Sequence, residues 1–120
     1  MITEFLQEFD DVVGIVCDGE LTRKDLVGIH ALLNERLAAT SEPGLVVDLT
    51  RFTGYSDLGV FVADSRMNLA HRNDFSRIAI IGQQRWTELG TALASLLTRA
   101  EMRWFDTNRV DLGADWARRG

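Results

Sequence analysis

The pattern of apolar and polar residues divides the chain into short strands separated by helical segments. Two apolar runs, Val12–Cys17 and Ile78–Gly82, have the length and β-branched character of buried strands. A third run, Leu45–Leu49, is typical of a central parallel strand that is covered on both faces. Residues 2–9 indicate an edge strand, and Met102–Phe105 indicate the last strand of the chain. Together these segments predict a sheet of five strands.

Apolar residues at helical spacing occupy most of the remaining chain. Thr22 followed by Asp25 fits a capping box, which marks the start of the first helix. Ser56 or Asp57 can cap the second helix. The four predicted helices cover residues 22–39, 56–71, 86–100 and 112–118.

The order of these elements predicts the topology. Asp10 and Asp11 are expected to turn the first strand into the second as a hairpin, and residues 50–55 are predicted to form a loop. Strands that alternate with helices pair in parallel through right-handed crossovers. The predicted fold class is therefore α/β, with the order β-β-α-β-α-β-α-β-α. Its mixed, mostly parallel sheet has an N-terminal β-hairpin and about four helices, in a single domain of residues 1–120.

Composition and charge narrow the class of partner. The chain has 120 residues and a net charge of −5, which argues against a nucleic-acid role. The first 60 residues hold 4 basic and 11 acidic groups, whereas the last 60 hold 9 basic and 7 acidic groups. This asymmetry could orient a charged or self-complementary partner. The only cysteine, Cys17, excludes an internal disulfide and is expected to be a buried free thiol.

Location is predicted from what the sequence lacks. No apolar run approaches the ~20 residues of a membrane span. The acidic start of the chain does not resemble a signal peptide. A cytoplasmic protein without a membrane span is expected.

The order and spacing of several segments resemble a known family, the SpoIIAA-like proteins. The similarity spans nearly the whole chain. It is carried by Gly19–Thr22, Val47–Leu49, His71, Phe75–Gly82, Trp86, Trp104–Phe105 and Ala114–Trp116. The resemblance implies a fold akin to the STAS domain of anti-sigma factor antagonists and to Sec14-type lipid-binding domains.

The absence of a catalytic constellation, together with the STAS-like order of elements, favours a function without catalysis. The first hypothesis is a non-catalytic regulatory or protein-interaction module of STAS-like type. The alternative is a small-molecule or lipid-binding domain with a crevice at the C-terminal ends of the parallel strands. Phosphate-binding loops, a nucleophile elbow and paired metal-ligand motifs are absent from the sequence. No enzyme activity, cofactor or metal is therefore expected.

A binding crevice is predicted where the parallel strands end, because ligands of such sheets bind beyond the carboxyl ends of the strands. Trp86 could instead serve as a hydrophobic lid, and His71 could simply end the second helix. An anionic group with an apolar portion would suit the crevice. The candidate lining residues are Tyr55, Ser56, Asp57, His71, Arg85 and Trp86.

Ser56 is also a candidate regulatory phosphosite. The resemblance implies this role, because anti-sigma factor antagonists are switched by phosphorylation of a hydroxyl residue at the start of the corresponding helix. The segment Ser56–Gly59 only loosely matches the Asp-Ser-Ser-Gly run that is usual there. The alternative is that Ser56 serves only as a helix N-cap.

A homodimer is expected in addition. Three tryptophans and six phenylalanines are many for a domain of this size. A short mixed sheet also leaves edges that need cover. The N-terminal segment is the expected contact.

Overall fold

The computed structural model describes residues 2–39, 42–55, 75–82 and 101–119. These residues form seven strands and two helices. In chain order they are β1 (Ile2–Phe5), β2 (Val12–Cys17), β3 (Gly19–Leu21), α1 (Arg23–Ala39), β4 (Gly44–Asp48), β5 (Phe52–Tyr55), β6 (Arg77–Ile81), β7 (Glu101–Phe105) and α2 (Val110–Arg118).

The main sheet has five strands in the order β1-β2-β4-β6-β7. β1 is antiparallel to β2, and every other neighbouring pair is parallel. The predicted mixed five-stranded α/β sheet is therefore confirmed. A separate two-stranded parallel sheet joins β3 to β5.

The sheet carries a hydrophobic core on each face because successive side chains of a strand point to opposite faces. Alternate residues such as Val13, Val47 and Ile80 belong to the first core, against which apolar residues of α1 pack. Their neighbours Val46 and Ile81 belong to the second core, with α2. The continuous apolar runs of β2, β4 and β6 serve both cores.

The helix α2 lies very close to the sheet because glycines leave room for it. A Cβ on Gly44 would meet the backbone carbonyl of Ala117, and one on Gly113 would lie 2.5 Å from the Ile81 Cδ1. The Arg118 Nε donates to both carboxylate oxygens of Asp11, at 2.9 and 3.1 Å. Packing and this charged hydrogen bond together fix the end of α2 at the start of the parallel strands.

The edge strand predicted over residues 2–9 is shorter in the structure. β1 ends at Phe5, and Leu6 has a φ of 61°, which breaks the extended backbone. The Phe9 N–H donates to the Leu6 carbonyl at 3.2 Å and closes a turn. Leu6 and Phe9 still pack against the second core. Their apolar character serves that packing and does not mark a continued strand.

The prediction of a loop over residues 50–55 is wrong from Phe52 onward. Phe52–Tyr55 form β5, which pairs with β3, where the sequence predicted only a loop. Phe52 is buried in the first core, and Gly54 has a φ of 143°, a region that favours glycine.

The first helix confirms its predicted start. The Thr22 hydroxyl accepts the Asp25 N–H at 3.3 Å, and the Asp25 Oδ2 accepts the Thr22 N–H at 3.0 Å.

The last helix begins at Val110, two residues earlier than predicted. The helices predicted over residues 56–71 and 86–100 lie outside the described residues. Neither described helix is long and apolar enough to cross a membrane.

Candidate functional site

The parallel strands β2, β4, β6 and β7 all end at one edge of the sheet, which we call the carboxyl edge. The chain leaves this edge after Cys17, Asp48, Ile81 and Phe105. β3 and β5 extend from the ends of β2 and β4, so the two-stranded sheet lies at the same edge. The predicted crevice was assigned to this part of the fold.

The loop after β4 is held in one conformation by its own side chains. The Asp48 Oδ1 accepts the Thr50 N–H at 2.9 Å and also accepts the Thr50 hydroxyl. Aspartate commonly stabilises a turn by accepting the N–H two residues later. This turn redirects the chain from β4 toward β5.

A second set of contacts ties this loop to the loop after β2. The Gly19 N–H donates to the Arg51 carbonyl at 2.9 Å. The Arg51 guanidinium lies 3.7 Å from the Asp18 carboxylate, and both side chains are well exposed. An exposed pair contributes little to stability, so the backbone hydrogen bond and buried Phe52 hold the two loops together.

The start of α1 lies beside the end of β5. Leu21 is the Cα partner of Tyr55, and Thr22 follows Leu21 directly. The Thr22 N–H donates to the Asp25 carboxylate and lowers the pKa of that carboxyl. Asp25 therefore remains ionised at neutral pH, within the first turn of α1.

The described part of the carboxyl edge is acidic. Residues 18–25 and 48–55, where β2 and β4 end, include four acidic and three basic residues, a formal balance of −1. The acidic residues are Asp18, Glu20, Asp25 and Asp48, and the basic ones are Arg23, Lys24 and Arg51. A second anionic group at this edge would therefore add to an existing negative charge.

Cys17 ends β2, but its side chain points into the first core and is only 2% exposed. Burial raises the pKa of its thiol to about 12. The thiol therefore stays protonated at neutral pH, and the expected buried free thiol is confirmed.

We expect Cys17 to resist a thiol-specific reagent in the native protein and to react rapidly once the protein is unfolded, because the thiolate is the reactive form. Reaction with a chromogenic disulfide reagent at pH 8, with and without denaturant, measures this. Equal rates in both states would contradict the burial of Cys17.

The structure places one of the six predicted crevice residues. The backbone of Tyr55 ends β5, where its Cα is paired with that of Leu21 in β3. The remaining five, Ser56, Asp57, His71, Arg85 and Trp86, lie outside the described residues.

Sequence reasoning missed two features of this edge. The turn formed by Asp48 and Thr50 could have been found, because an aspartate two residues before a threonine directly after a strand is a turn signal. The contact between Gly19 and Arg51 carries no local signal, because it joins separate loops. Over the described ranges, no three histidine, cysteine or carboxylate groups converge as metal ligands would.

Comparison with known proteins relates this architecture to a family. The model of the SpoIIAA-like family matches residues 12–118. The chain is similar to a protein of known crystal structure from Shewanella loihica PV-4, with 30% sequence identity. That protein is an uncharacterised member of the DUF3478 family with a SpoIIAA-like fold. The match has a TM-score of 0.69 and covers 97% of this chain and 93% of that one.

A more distant structure shares the fold. The anti-sigma factor antagonist SpoIIAA in its unphosphorylated form is 13% identical, with a TM-score of 0.53, over 86% of this chain and 87% of that one. The search of curated proteins gave no match. The family model and the Shewanella structure together cover nearly all of the sheet and both described helices, and the chain belongs to the SpoIIAA-like family.

Proposed function

We propose that the chain is a non-catalytic regulatory or protein-interaction module of STAS-like type. The observation that carries this proposal is the fold that it shares, over 86% of its length, with an anti-sigma factor antagonist. By its description, that protein acts against another protein, an anti-sigma factor. Because fold alone does not determine function, the proposal also needs a contact surface on this chain.

The proposed contact surface is the carboxyl edge. Its loops are held in place by the hydrogen bonds of Asp48 with Thr50 and of Gly19 with Arg51. A preorganised surface loses less conformational entropy when a partner binds. We propose that the predicted crevice residues surround this contact: Tyr55, Ser56, Asp57, His71, Arg85 and Trp86.

Ser56 is the proposed regulatory position. It follows Tyr55, the last residue of β5, directly in the sequence. Phosphorylation adds about −1.5 to −2 charges at neutral pH. Over residues 18–25 and 48–55 the acidic residues of this edge outnumber the basic ones by one, and Asp57 follows Ser56. The phosphate would therefore strengthen a negative potential and change which partner surface the edge can bind.

Affinity purification from the native host tests this function. Tagged wild type, Ser56→Ala and Ser56→Asp are compared, with Thr53→Asp as the matched control because Thr53 is an exposed residue of the same strand end. We expect wild type, Ser56→Ala and Thr53→Asp to retain the same stoichiometric protein partner. Ser56→Asp is expected to change the recovered amount of that partner by at least about tenfold, since a new charge at an interface can change the binding free energy by several kcal/mol.

Two results would contradict the proposal. The first is equal recovery of the partner with Ser56→Asp and Thr53→Asp, which would remove the regulatory role of Ser56. The second is no protein partner at all, together with a small apolar or anionic molecule retained in native mass spectrometry. That second result would favour the alternative function of small-molecule or lipid binding.

A further inference from the structure

We propose that two copies of the chain associate through the outer edge of β7, the side that faces away from β6, with the strands antiparallel and Glu101 of each copy opposite Arg103 of the other. This contact is separate from the carboxyl edge, so it neither requires nor excludes the function proposed above. β7 is the last strand of the five-stranded sheet. Among the described strands, only β6 pairs with it.

The hydrogen bonds of β7 show which of its backbone groups point outward. The Glu101 N–H donates to the Ser76 carbonyl at 3.3 Å, and the Phe105 carbonyl accepts the Gly82 N–H at 2.9 Å. Both ends of β7 therefore direct their backbone groups toward the β6 side. Because these groups alternate along a strand, those of Met102 and Trp104 point away from β6. These two residues supply the donors and acceptors of the outer edge.

Symmetry restricts how a second copy can pair there. A two-fold axis perpendicular to the strand makes the two β7 strands antiparallel, and the outward residues must then oppose one another. Three registers satisfy this condition. Met102 can oppose its own copy, Trp104 can oppose its own copy, or Met102 can oppose Trp104.

Charge selects one of these registers. When Met102 opposes its own copy, Glu101 of each strand faces Arg103 of the other, and the axis generates this pair twice. When Met102 opposes Trp104, Arg103 faces its own copy, and like charges directly opposite are destabilising. The third register places Arg103 opposite Phe105 and leaves Glu101 without a counter-charge across the interface. The first register therefore has the best complementarity.

The two charged side chains are available for this pairing. The Glu101 side chain is 67% exposed, and its contact with the Arg77 Nε is long, at 3.5 Å. Arg103 is exposed on the same face of the sheet, where its guanidinium carbon lies 5.7 Å from the ring centre of Phe105. Both side chains are therefore exposed at the surface of their own copy and can reach a second copy.

The opposite edge of the sheet is less suited to a second copy. β1 has four residues and ends where Leu6 breaks the extended backbone. Its one charged residue, Glu4, already binds Arg36 at 2.6 Å. β1 thus has no pair of opposite charges to match against itself, and the contact expected from sequence at the N-terminal segment is assigned here to β7.

Two charge-reversed variants test the proposal, Glu101→Arg and Arg103→Glu. Each alone places like charges opposite one another in both symmetric pairs, and we expect its self-association to weaken on the order of tenfold or more. An equimolar mixture restores opposite charges in both pairs. Sedimentation velocity at micromolar concentrations measures this. We expect a dimer for the wild type, a monomer for each variant alone and a heterodimer for the mixture.

The mixture also guards against misfolding, because a heterodimer forms only from two folded variants. Glu8→Arg and Lys24→Glu reverse exposed charges elsewhere and should leave the wild-type dimer unchanged. The proposal is overturned if the wild type is a monomer throughout this range, if either variant dimerises as strongly as the wild type, or if the mixture stays monomeric. None of these results depends on the partner captured at the carboxyl edge.

Discussion

Replacing Gly44 with alanine is expected to lower the free energy of unfolding by about 1–3 kcal/mol, the usual range for overpacking a core. The new methyl group would meet the backbone carbonyl group of Ala117, with its carbon 2.7 Å from the carbonyl carbon of that residue. Backbone atoms cannot move aside by changing rotamer, so α2 must shift away from β4. That shift would also disturb the hydrogen bonds between Arg118 and Asp11. Urea denaturation followed by tryptophan fluorescence measures the loss.

Gly28→Ala is the matched control for this substitution. Among the described residues, a Cβ on Gly28 would meet only the Ile2 Cδ1, at 3.4 Å, which is ordinary contact at the end of a side chain. Alanine is also favoured over glycine in a helix by about 0.8–1.0 kcal/mol. The two variants should therefore change stability in opposite directions. Equal effects would show that α2 does not lie against Gly44 as described.

Ile80→Ala is expected to have the larger effect, a loss of about 2–5 kcal/mol, since it empties a fully buried aliphatic site. Ile80 is 0% exposed and lies in the interior strand β6, within the first core. From sequence, Leu33→Ala is expected to cost as much, because Leu33 lies on the apolar face of its helix. The structure leaves Leu33 half-buried at the margin of the same core, so its truncation should cost less than that of Ile80.

Equilibrium unfolding of the two variants and of Leu112→Ala tests this ranking. Leu112 is 49% exposed, so its truncation should change stability by no more than about 0.5 kcal/mol. A loss below about 1 kcal/mol for Ile80→Ala would be incompatible with a packed core site. Equal losses for Ile80 and Leu33 would mean that α1 buries more of its apolar face than the structure shows.

The three interior strands of the main sheet, β2, β4 and β6, were predictable because their apolar runs are nearly continuous. A parallel strand covered on both faces must be apolar at every position, and Val12–Cys17 meets that condition almost without interruption. β3 and β5 were not predictable, because three or four residues with glycine and polar members produce no periodic pattern. The role of Gly44 was also hidden, since its contact lies on Ala117, far away in the chain.

The candidate site was predictable in position more than in detail. The alternation of strands and helices indicates which loops share the carboxyl edge, and the described loops after β2 and β4 do meet there. Their contacts depend on tertiary geometry, such as the Gly19 N–H reaching the Arg51 carbonyl. Among the predicted crevice residues, only Tyr55 is placed by the described structure.

The position of α2 also affects how the chain folds during synthesis. On the ribosome, β2, β4 and β6 are made well before residues 110–118. Until residues 110–118 emerge, Val46, Ala79 and Ile81 lack the helix that covers them in the folded protein. Transiently exposed apolar surface of this kind promotes aggregation. We therefore expect nascent chains that stall before Val110 to depend on chaperones, and release from them to coincide with the docking of Ala117 on Gly44.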